Sequence, residues 1–538
     1  MTLKSTVILL FYMVICFHGI GQTWESIITP VANDISEGVS IKVHNENQYF
    51  AGVYRGSFNL GSNSLSGWAY DDIFIGKANL TGIAEWVIPL NGNKIERTNT
   101  IDIINNHVVV SGTFSDTLLI GNDTLVNNHQ RAVFLAHFDT LGNHISTFLP
   151  DVHNAEFKDF VVDNDGNYII CGEFYNHFNY GSFSMYNPGV FNFFLLKYDP
   201  VSDSIIWGVH ASLGSSEGEK VIVDDNNDIF VTGMYNEGTN LVDTVLFTGS
   251  TEHNIFISKF DTDGNRIWLE TVHGAAEVHS SDIVVDDSSN VFLIGEFEGV
   301  IDVGGTTYNS GGFYDVIFVK YTQDGTVQWT KVFGGVNSDE GYGVVLDQNM
   351  DPIVMVESEM NLTYNGQTLS VNGWNEPMLL KVRNSDGGLI WWKSLKSTPG
   401  TGLVNAMDIS IEGTNIAITG INRTSILFNS NNYVAANSKD FYTVILSDSL
   451  TYHLEVESLE DDLVLTLFPN PAHTYFKIKS SESIESIKIF SMSGKFIEGK
   501  EIINTTDTTI NLHDYPRGMY LVKVISQGNI YTNKISVK

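Results

Sequence analysis

Four aspartates, Asp102, Asp159, Asp282 and Asp408, each stand near the start of an apolar stretch in this 538-residue chain. Carboxylates gathered by such a recurrence could attract a cation, or divide general-acid and general-base work between them. Lys220 and Gly343 hold comparable positions and interrupt the series, so solvated carboxylates capping strand ends are expected instead. Three aromatic residues, Tyr308, Tyr364 and Trp374, lie in long segments, 298–315 and 359–376, that also carry Asn and Gly. Ring faces beside amides suit stacking on sugar C–H groups and hydroxyl recognition, which makes these three the expected ligand-binding residues. The competing expectation is that each ring packs its own loop. The turns 163–167, 224–228 and 261–265 crowd Asp and Asn together. None follows the ligand spacing of an EF-hand, and Asp-Gly or Asn-rich hairpin turns arise for backbone reasons alone. The 15 histidines show no H-E-x-x-H or structural-zinc spacing, and no P-loop, G-x-S-x-G elbow or dinucleotide fingerprint occurs. Motifs therefore name no catalytic residue, no metal ligand and no cofactor.

The elements that must position these residues follow from a repeat. Asp282 to Gly335 reads as four short strands: S-D-I-V-V, V-F-L-I-G-E-F, V-I-F-V-K-Y and V-Q-W-T-K-V-F, separated by Asp/Asn/Ser/Gly-rich turns. The glycine ending the second strand recurs at Gly52, Gly112, Gly172, Gly233, Gly295 and Gly420, with Val356 in the sixth copy; the gaps are 60, 60, 61, 62, 61 and 64 residues. A second series has the same period: Trp86, Trp207, Trp268, Trp329 and Trp391, with Ser146 in the second copy. It extends back to Trp24, 62 residues before Trp86, and the last unit, 403–447, lacks a tryptophan strand. These defects complement each other. A segment starting at Gln22 that supplies the missing fourth strand closes seven four-stranded units into a ring, leaving only short, protected edges. Strands covered on both faces should be apolar runs, as F-L-I-G and V-I-F-V are. In V-D-D-S-S-N-V-F-L-I-G-E-F, D-V-I-F-V-K-Y and D-G-T-V-Q-W the chain resembles the bacterial seven-bladed β-propeller repeat family over residues 22–447, which implies a fold more firmly than an activity. D-T-D-G-N-R-I-W also resembles the aspartate-box turn of sialidase propellers. The glycine-to-tryptophan spacing is four rather than three, however, and Arg55, Arg97, Arg131, Arg266, Arg383 and Arg423 are scattered, so that reading is set aside.

Composition bounds the rest. With 63 acidic against 29 basic residues the net charge is −34, which repels phosphate backbones and disfavours nucleic acid as a partner. From Val464 onward there are 9 basic and 6 acidic residues. This charge shift marks a boundary at an acidic linker, 451–463, that separates the propeller (22–450) from a C-terminal domain (464–538). Residues 1–21 read as a secretory signal peptide, with one lysine followed by an apolar run too short to span a bilayer. Ile15 before Cys16 argues against lipidation, and Cys171 in its apolar strand reads as a small buried hydrophobe. No second membrane-spanning segment is seen.

The C-terminal domain alternates apolar and polar residues, as a compact antiparallel β-sandwich does. Its motifs are Pro469-Asn470-Pro471-Ala472, Gly494-Lys495, Gly518-Met519-Tyr520 and the ending Lys534 to Lys538. In these it resembles the C-terminal sorting domain of the type IX secretion system of Bacteroidota. That resemblance implies export to the periplasm, passage across the outer membrane by the type IX machinery, and a secreted or cell-surface location. The whole then reads as a secreted or surface propeller acting as a non-enzymatic binding module for an extracellular glycan or protein. The alternatives are a polysaccharide-active or otherwise hydrolytic propeller and an adhesion or structural surface protein.

Overall fold

The computed structural model describes residues 22–448 and 466–538, except 69, 247–251, 401, 430, 492–495, 514 and 527–528. The expected signal peptide (1–21), the expected acidic linker (451–463) and the Gly494-Lys495 pair lie outside the described residues. The chain divides into two compact units between Tyr452 and His453.

The first unit is a seven-bladed β-propeller. Each blade is a four-stranded antiparallel meander; blade 1 comprises Ser36–His44, Asn47–Tyr54, Asp72–Asn79 and Ala84–Gly92. Blade 7 takes three strands from Val404–Glu412, Asn415–Asn422 and Asp440–Ser447, and its fourth is Thr23–Ile28, paired antiparallel to Asp440–Ser447. The core is seven apolar layers, one between each pair of neighbouring blades. Phe50, Phe74 and Ile41 of blade 1 pack with Ala417, Phe441 and Ile445 of blade 7, which closes the ring. Covering on both faces is why the strands carry unbroken apolar runs.

Each first strand bulges at the same place, opposite the repeat glycine. In blade 3 the register jumps from Phe157↔Gly172 to Asp159↔Cys171, and the other six blades do the same. The glycine is needed for space: a Cβ there would lie 1.9–2.4 Å from a first-strand carbonyl in six blades, Glu156 O in the case of Gly172. Blade 6 carries Val356 at this position, facing Gly341.

The tryptophan series is an inter-blade latch. The indole Nε1 of Trp86, Trp207, Trp268 and Trp329 donates to the backbone oxygen of Thr140, Thr262, Gln323 and Asn384 in the next blade, at 3.0–3.1 Å. The turn glycines Gly142, Gly264 and Gly325, all at positive φ, lie directly against the preceding blade's indole. The turn that resembles an aspartate box is therefore a packing element. The register corrects the series at its start. Each tryptophan of the series faces a third-strand lysine, and the matching position in blade 7, Ile445, faces Ser26 rather than Trp24. Ser26 Oγ donates to Leu80 O at 2.7 Å, doing with a hydroxyl what the indoles do elsewhere.

The C-terminal unit is a five-stranded antiparallel assembly with its own core, including Phe476, Ile478, Ile487, Val522, Val524 and Ile535. Its long strands Tyr475–Ser491 and Phe496–Asn511 pair in two stretches, with a register break between Lys479 and Ile484. Thr466–Phe468 joins Tyr475–Ser491 before that break, and Gly518–Ser526 joins it after. This is how two long strands contribute to both layers of a sandwich.

Candidate functional site

The first strands line a central channel with a cavity of about 440 Å³. Register equivalence sets seven side-chain positions around it: Ser40, Thr100, Asp159, Lys220, Asp282, Gly343 and Asp408. Asp102 is therefore not a member of the aspartate series. It stands two residues further along its strand and pairs with Lys42 at 3.0 Å. The remaining aspartates are not solvated caps either. Each reaches to the next blade: Asp159 Oδ2 accepts Val221 N (3.1 Å), Asp282 Oδ2 accepts Val344 N (2.8 Å), and Asp408 Oδ2 accepts Ile41 N (2.8 Å) and Ser40 Oγ (2.7 Å). They stitch neighbouring blades together around the axis.

Lys220 is the one cation among those seven positions. Burial alone would lower its pKa; the carboxylates of Asp159, Asp282 and Asp408 outweigh that and raise it. Burial pushes Asp282 up to about 7, against the pull of Lys220. Replacing Lys220 by Met should cost on the order of 3 kcal/mol at pH 8, because buried carboxylates lose their counter-charge. The loss should shrink at pH 5, where Asp282 takes up a proton; thermal melts at the two pH values check this.

Above the channel, on the face where first strands begin, blades 3 to 6 form an acidic mouth absent from the sequence-based expectations. The residue after the repeat glycine is Glu173 in blade 3 and Glu296 in blade 5, and Glu357 follows Val356 in blade 6. Opposite them stand Glu156, His279 and Glu340. Glu217 and Glu219 of blade 4 lie on Lys158 at 3.0 and 3.3 Å. Glu156 takes Arg131 (2.8 Å) and Asn99 (2.8 Å), and Glu357 Oε1 takes Asn375 and Asn405, both at 2.6 Å. Burial raises Glu173 to about 7, Glu219 to about 7 and Glu357 to about 8. The recurring S/D-E-G of the first strands and G-E-F of the second were the available signals. They went unread because the bulge that aims them is a backbone feature.

These shifts set a pH dependence. A carboxyl with a raised folded-state pKa stabilises the fold fully below its unfolded value, and that stability is lost as pH rises through the folded value. Glu173, Glu219, Asp282, Glu357 and also Asp339 (about 7) and Glu96 (about 8) all act in this sense, with burial as the first cause. Carboxylates held below the usual range despite burial, such as Asp163 by Lys197, lose their contribution only in acid. His137, lowered by burial to about 4, opposes the trend with one group. The melting midpoint should peak near pH 5, by about the lower edge of the raised group's titration, and fall by several degrees by pH 8.5. A flat profile over that range would contradict this reading of the carboxyls.

The long connections between second and third strands are not free loops. Each contains a small hairpin that pairs with the segment leaving the preceding blade's fourth strand, as in Leu118↔Gly92, Val303↔Val272 and Thr239↔Leu213. This explains two of the three predicted aromatics. Tyr364 is 1% exposed, packs edge-on to Phe333 and donates to Gly387 O at 2.6 Å; it is a core residue and no sugar can stack on it. Tyr308 faces Ile301 in the blade 5 hairpin and is half-buried against the blade 4–5 core. Trp374 lies beyond its hairpin and is 56% exposed. Two aromatics missed from sequence share its kind of segment, Trp68 (45%) in blade 1 and Phe313 (62%) in blade 5. In blades 1, 5 and 6 a carboxylate at the start of the third blade strand fixes these segments. Asp72 Oδ2 accepts Trp68 N (2.7 Å), Asp315 Oδ2 accepts Gly311 N (2.8 Å) and Glu376 Oε1 accepts Gly373 N (2.9 Å), while Trp374 N donates to Gly402 O (2.9 Å).

The turns 163–167 and 224–228 commit their leading carboxylates to protein donors, inside the turn and on neighbouring strands. Asp163 Oδ1 accepts the N–H of Asp165 and Asn167, and its Oδ2 takes Lys197 Nζ at 2.8 Å. In the C-terminal unit the Pro469-Asn470-Pro471-Ala472 motif is sewn to the last strand, Asn529–Val537. Asn470 Nδ2 donates to Lys534 O, Asn470 Oδ1 accepts Ser536 N, and Ala472 exchanges backbone bonds with Ser536 and Lys538. Asn470 thus does more than turn the chain. Tyr520 is buried with its hydroxyl on Pro516 O (2.7 Å), whereas Lys534 and Lys538 are exposed. Gly518 opens the strand that pairs with the last one.

Residues 466–538 match the secretion system C-terminal sorting domain. A WD repeat-containing protein of Acanthamoeba polyphaga mimivirus is 26% identical over 217 residues; the match spans 34% of this chain and only 14% of that protein. Among solved structures, PorZ, an essential surface component of the type-IX secretion system of Porphyromonas gingivalis, aligns over 93% of this chain and 75% of its own at 12% identity, TM-score 0.33. Drosophila Semaphorin 2a aligns over 96% and 99% at 7% identity, TM-score 0.39. Likenesses this distant carry no argument about activity. With its own core, its sewn termini and that family match, the C-terminal unit is a secretion system sorting domain, and the chain is a β-propeller exported by the type IX route to the cell surface or beyond.

Proposed function

We propose that the propeller is a non-enzymatic binding module for an extracellular glycan or protein, acting after the sorting domain has delivered it and the leader 1–21 has been removed. The observation that carries this reading is the set of exposed aromatics on fixed backbones, Trp374 above all. A ring held out by a pinned loop offers apolar area with little entropy left to lose on binding. Trp68, Phe313 and Trp374 all follow second strands, so topology puts them on one face, around the acidic mouth. The test is an array of glycans and surface proteins probed with the whole mature chain. Trp374→Ala should weaken whatever binds by about tenfold, some 1.4 kcal/mol, with an unchanged melt; binding indifferent to Trp374, Trp68 and Phe313 together would contradict it. The hydrolytic alternative keeps one supporting observation, the raised pKa values of Glu173, Glu219 and Glu357, which suit a general acid at neutral pH. On the binding reading these groups are fixed by side-chain donors and hold the mouth in shape. We also assign Pro469, Asn470, Pro471, Gly494, Lys495, Gly518, Tyr520, Lys534 and Lys538 to the sorting signal that the type IX machinery reads.

A further inference from the structure

We propose that His253, Glu277 and His279 form a binding site for a divalent transition-metal ion, zinc before others, at the rim of the channel mouth. One imidazole nitrogen from each histidine and one carboxylate oxygen all lie within 4.8 Å of one another. His279 Nε2 is 3.5 Å from Glu277 Oε2. Tetrahedral zinc with bonds of about 2.0–2.1 Å sets neighbouring ligand atoms about 3.3 Å apart, so small side-chain rotations suffice to close the set.

The backbone prepares this arrangement. Glu277 and His279 are two residues apart at the start of blade 5's first strand, Val278–Val285, and so point to the same side. Val278 between them is wholly buried on the other. His253 immediately precedes blade 4's third strand, Asn254–Phe260. Val278 N donates to His253 O at 3.0 Å, and Glu298 N donates to Glu277 O at 3.1 Å. The ligands thus come from two blades whose backbones are bonded at the site itself.

The surrounding groups are those that orient metal ligands elsewhere. Glu296, the cross-strand partner of His279, places Oε1 3.4 Å from Nδ1. A carboxylate on Nδ1 holds the proton there and leaves the Nε2 lone pair free to ligate. Tyr314 lies nearly parallel to the His279 ring, centroids 6.0 Å apart, and its hydroxyl donates to Glu277 Oε2 at 2.9 Å, which orients the oxygen that faces His279 Nε2 and leaves it a lone pair for the ion. Two imidazoles and one carboxylate favour zinc and its first-row neighbours over calcium or magnesium, which take oxygen ligands. Three protein ligands leave a fourth position for water or for a donor atom of a bound partner. All three side chains are half-buried, so an ion can enter from solvent.

The test uses the whole mature chain without a histidine tag, stripped with chelator and titrated with zinc by calorimetry. One ion per chain with Kd of about 1 μM or tighter is expected. The double substitution His253→Ala/His279→Ala should abolish that event without lowering the melting midpoint of the metal-free protein. Glu296→Gln, which alters only the positioning group, should weaken binding by roughly 10- to 100-fold. Cobalt(II) added to the unsubstituted protein gives an independent reading: a visible absorption band of a low-coordinate site that zinc displaces. Absence of binding, a zinc isotherm unchanged in the double variant, or no displaceable cobalt band would each overturn the assignment. The first two would show His279 to be only a hydrogen-bonding bridge between Glu277 and Glu296.

Discussion

Deleting residues 22–30 should lower the propeller's melting midpoint by roughly 10 °C. The deleted strand pairs Thr23, Trp24, Ser26, Ile27 and Ile28 with Ser447 back to Thr443 and buries Ile28 wholly and Trp24 and Ile27 in part. That apolar burial is worth about 4–6 kcal/mol. Its loss also strips the third strand of blade 7, Phe441 to Leu446, of its cover and leaves an apolar edge open to pairing with other chains. Aggregation on heating should therefore accompany the lower midpoint. Ser26→Ala is the milder control: it removes only the hydroxyl that reaches Leu80 O, and should cost about 1 kcal/mol. An unchanged melt after the deletion would mean that the strand does not hold the ring closed.

Ending the chain before Thr466 should abolish its appearance on the cell surface and in the medium of a type IX-competent host, while folded propeller accumulates inside the outer membrane. Each unit is built around its own apolar core, so the propeller's core is left intact. Asn470→Ala is the fine version. It deletes both bonds to the last strand and should reduce export in proportion to the loss of that strand's position, without touching the propeller's melt. Fractionation and blotting read both. Full export of the truncated chain would contradict the role of the sorting domain.

The blade count, the apolar strands and the closing strand were legible in the sequence because they depend on period and residue class, which a repeat displays many times over. Positions that depend on register were not. A one-residue bulge in every first strand decides which side chain enters the channel, so spacing from the strand start mistook Asp102 for a ring member where Thr100 stands. The same limit placed Trp24 in a slot that belongs to Ser26. Tyr364 looked like a loop aromatic because composition cannot distinguish a free loop from a hairpin that augments the neighbouring blade. Only the pairing shows that its ring points inward. His253 and Glu277 are 24 residues apart in sequence and met only because adjacent blades bring the end of one loop to the start of the next strand.

The claim most exposed to refutation is that this exported propeller binds without transforming what it binds. The decisive measurement incubates the chain from Gln22 to Lys538 with each carbohydrate or protein it retains and follows the products by mass spectrometry across pH 5 to 8, the range in which Glu173, Glu219 and Glu357 change charge. Ligands should be recovered intact at every pH, with retention weakened about tenfold in Trp374→Ala. Shortened products that vanish in Glu357→Gln or Glu219→Gln would contradict it and make the acidic mouth a catalytic site.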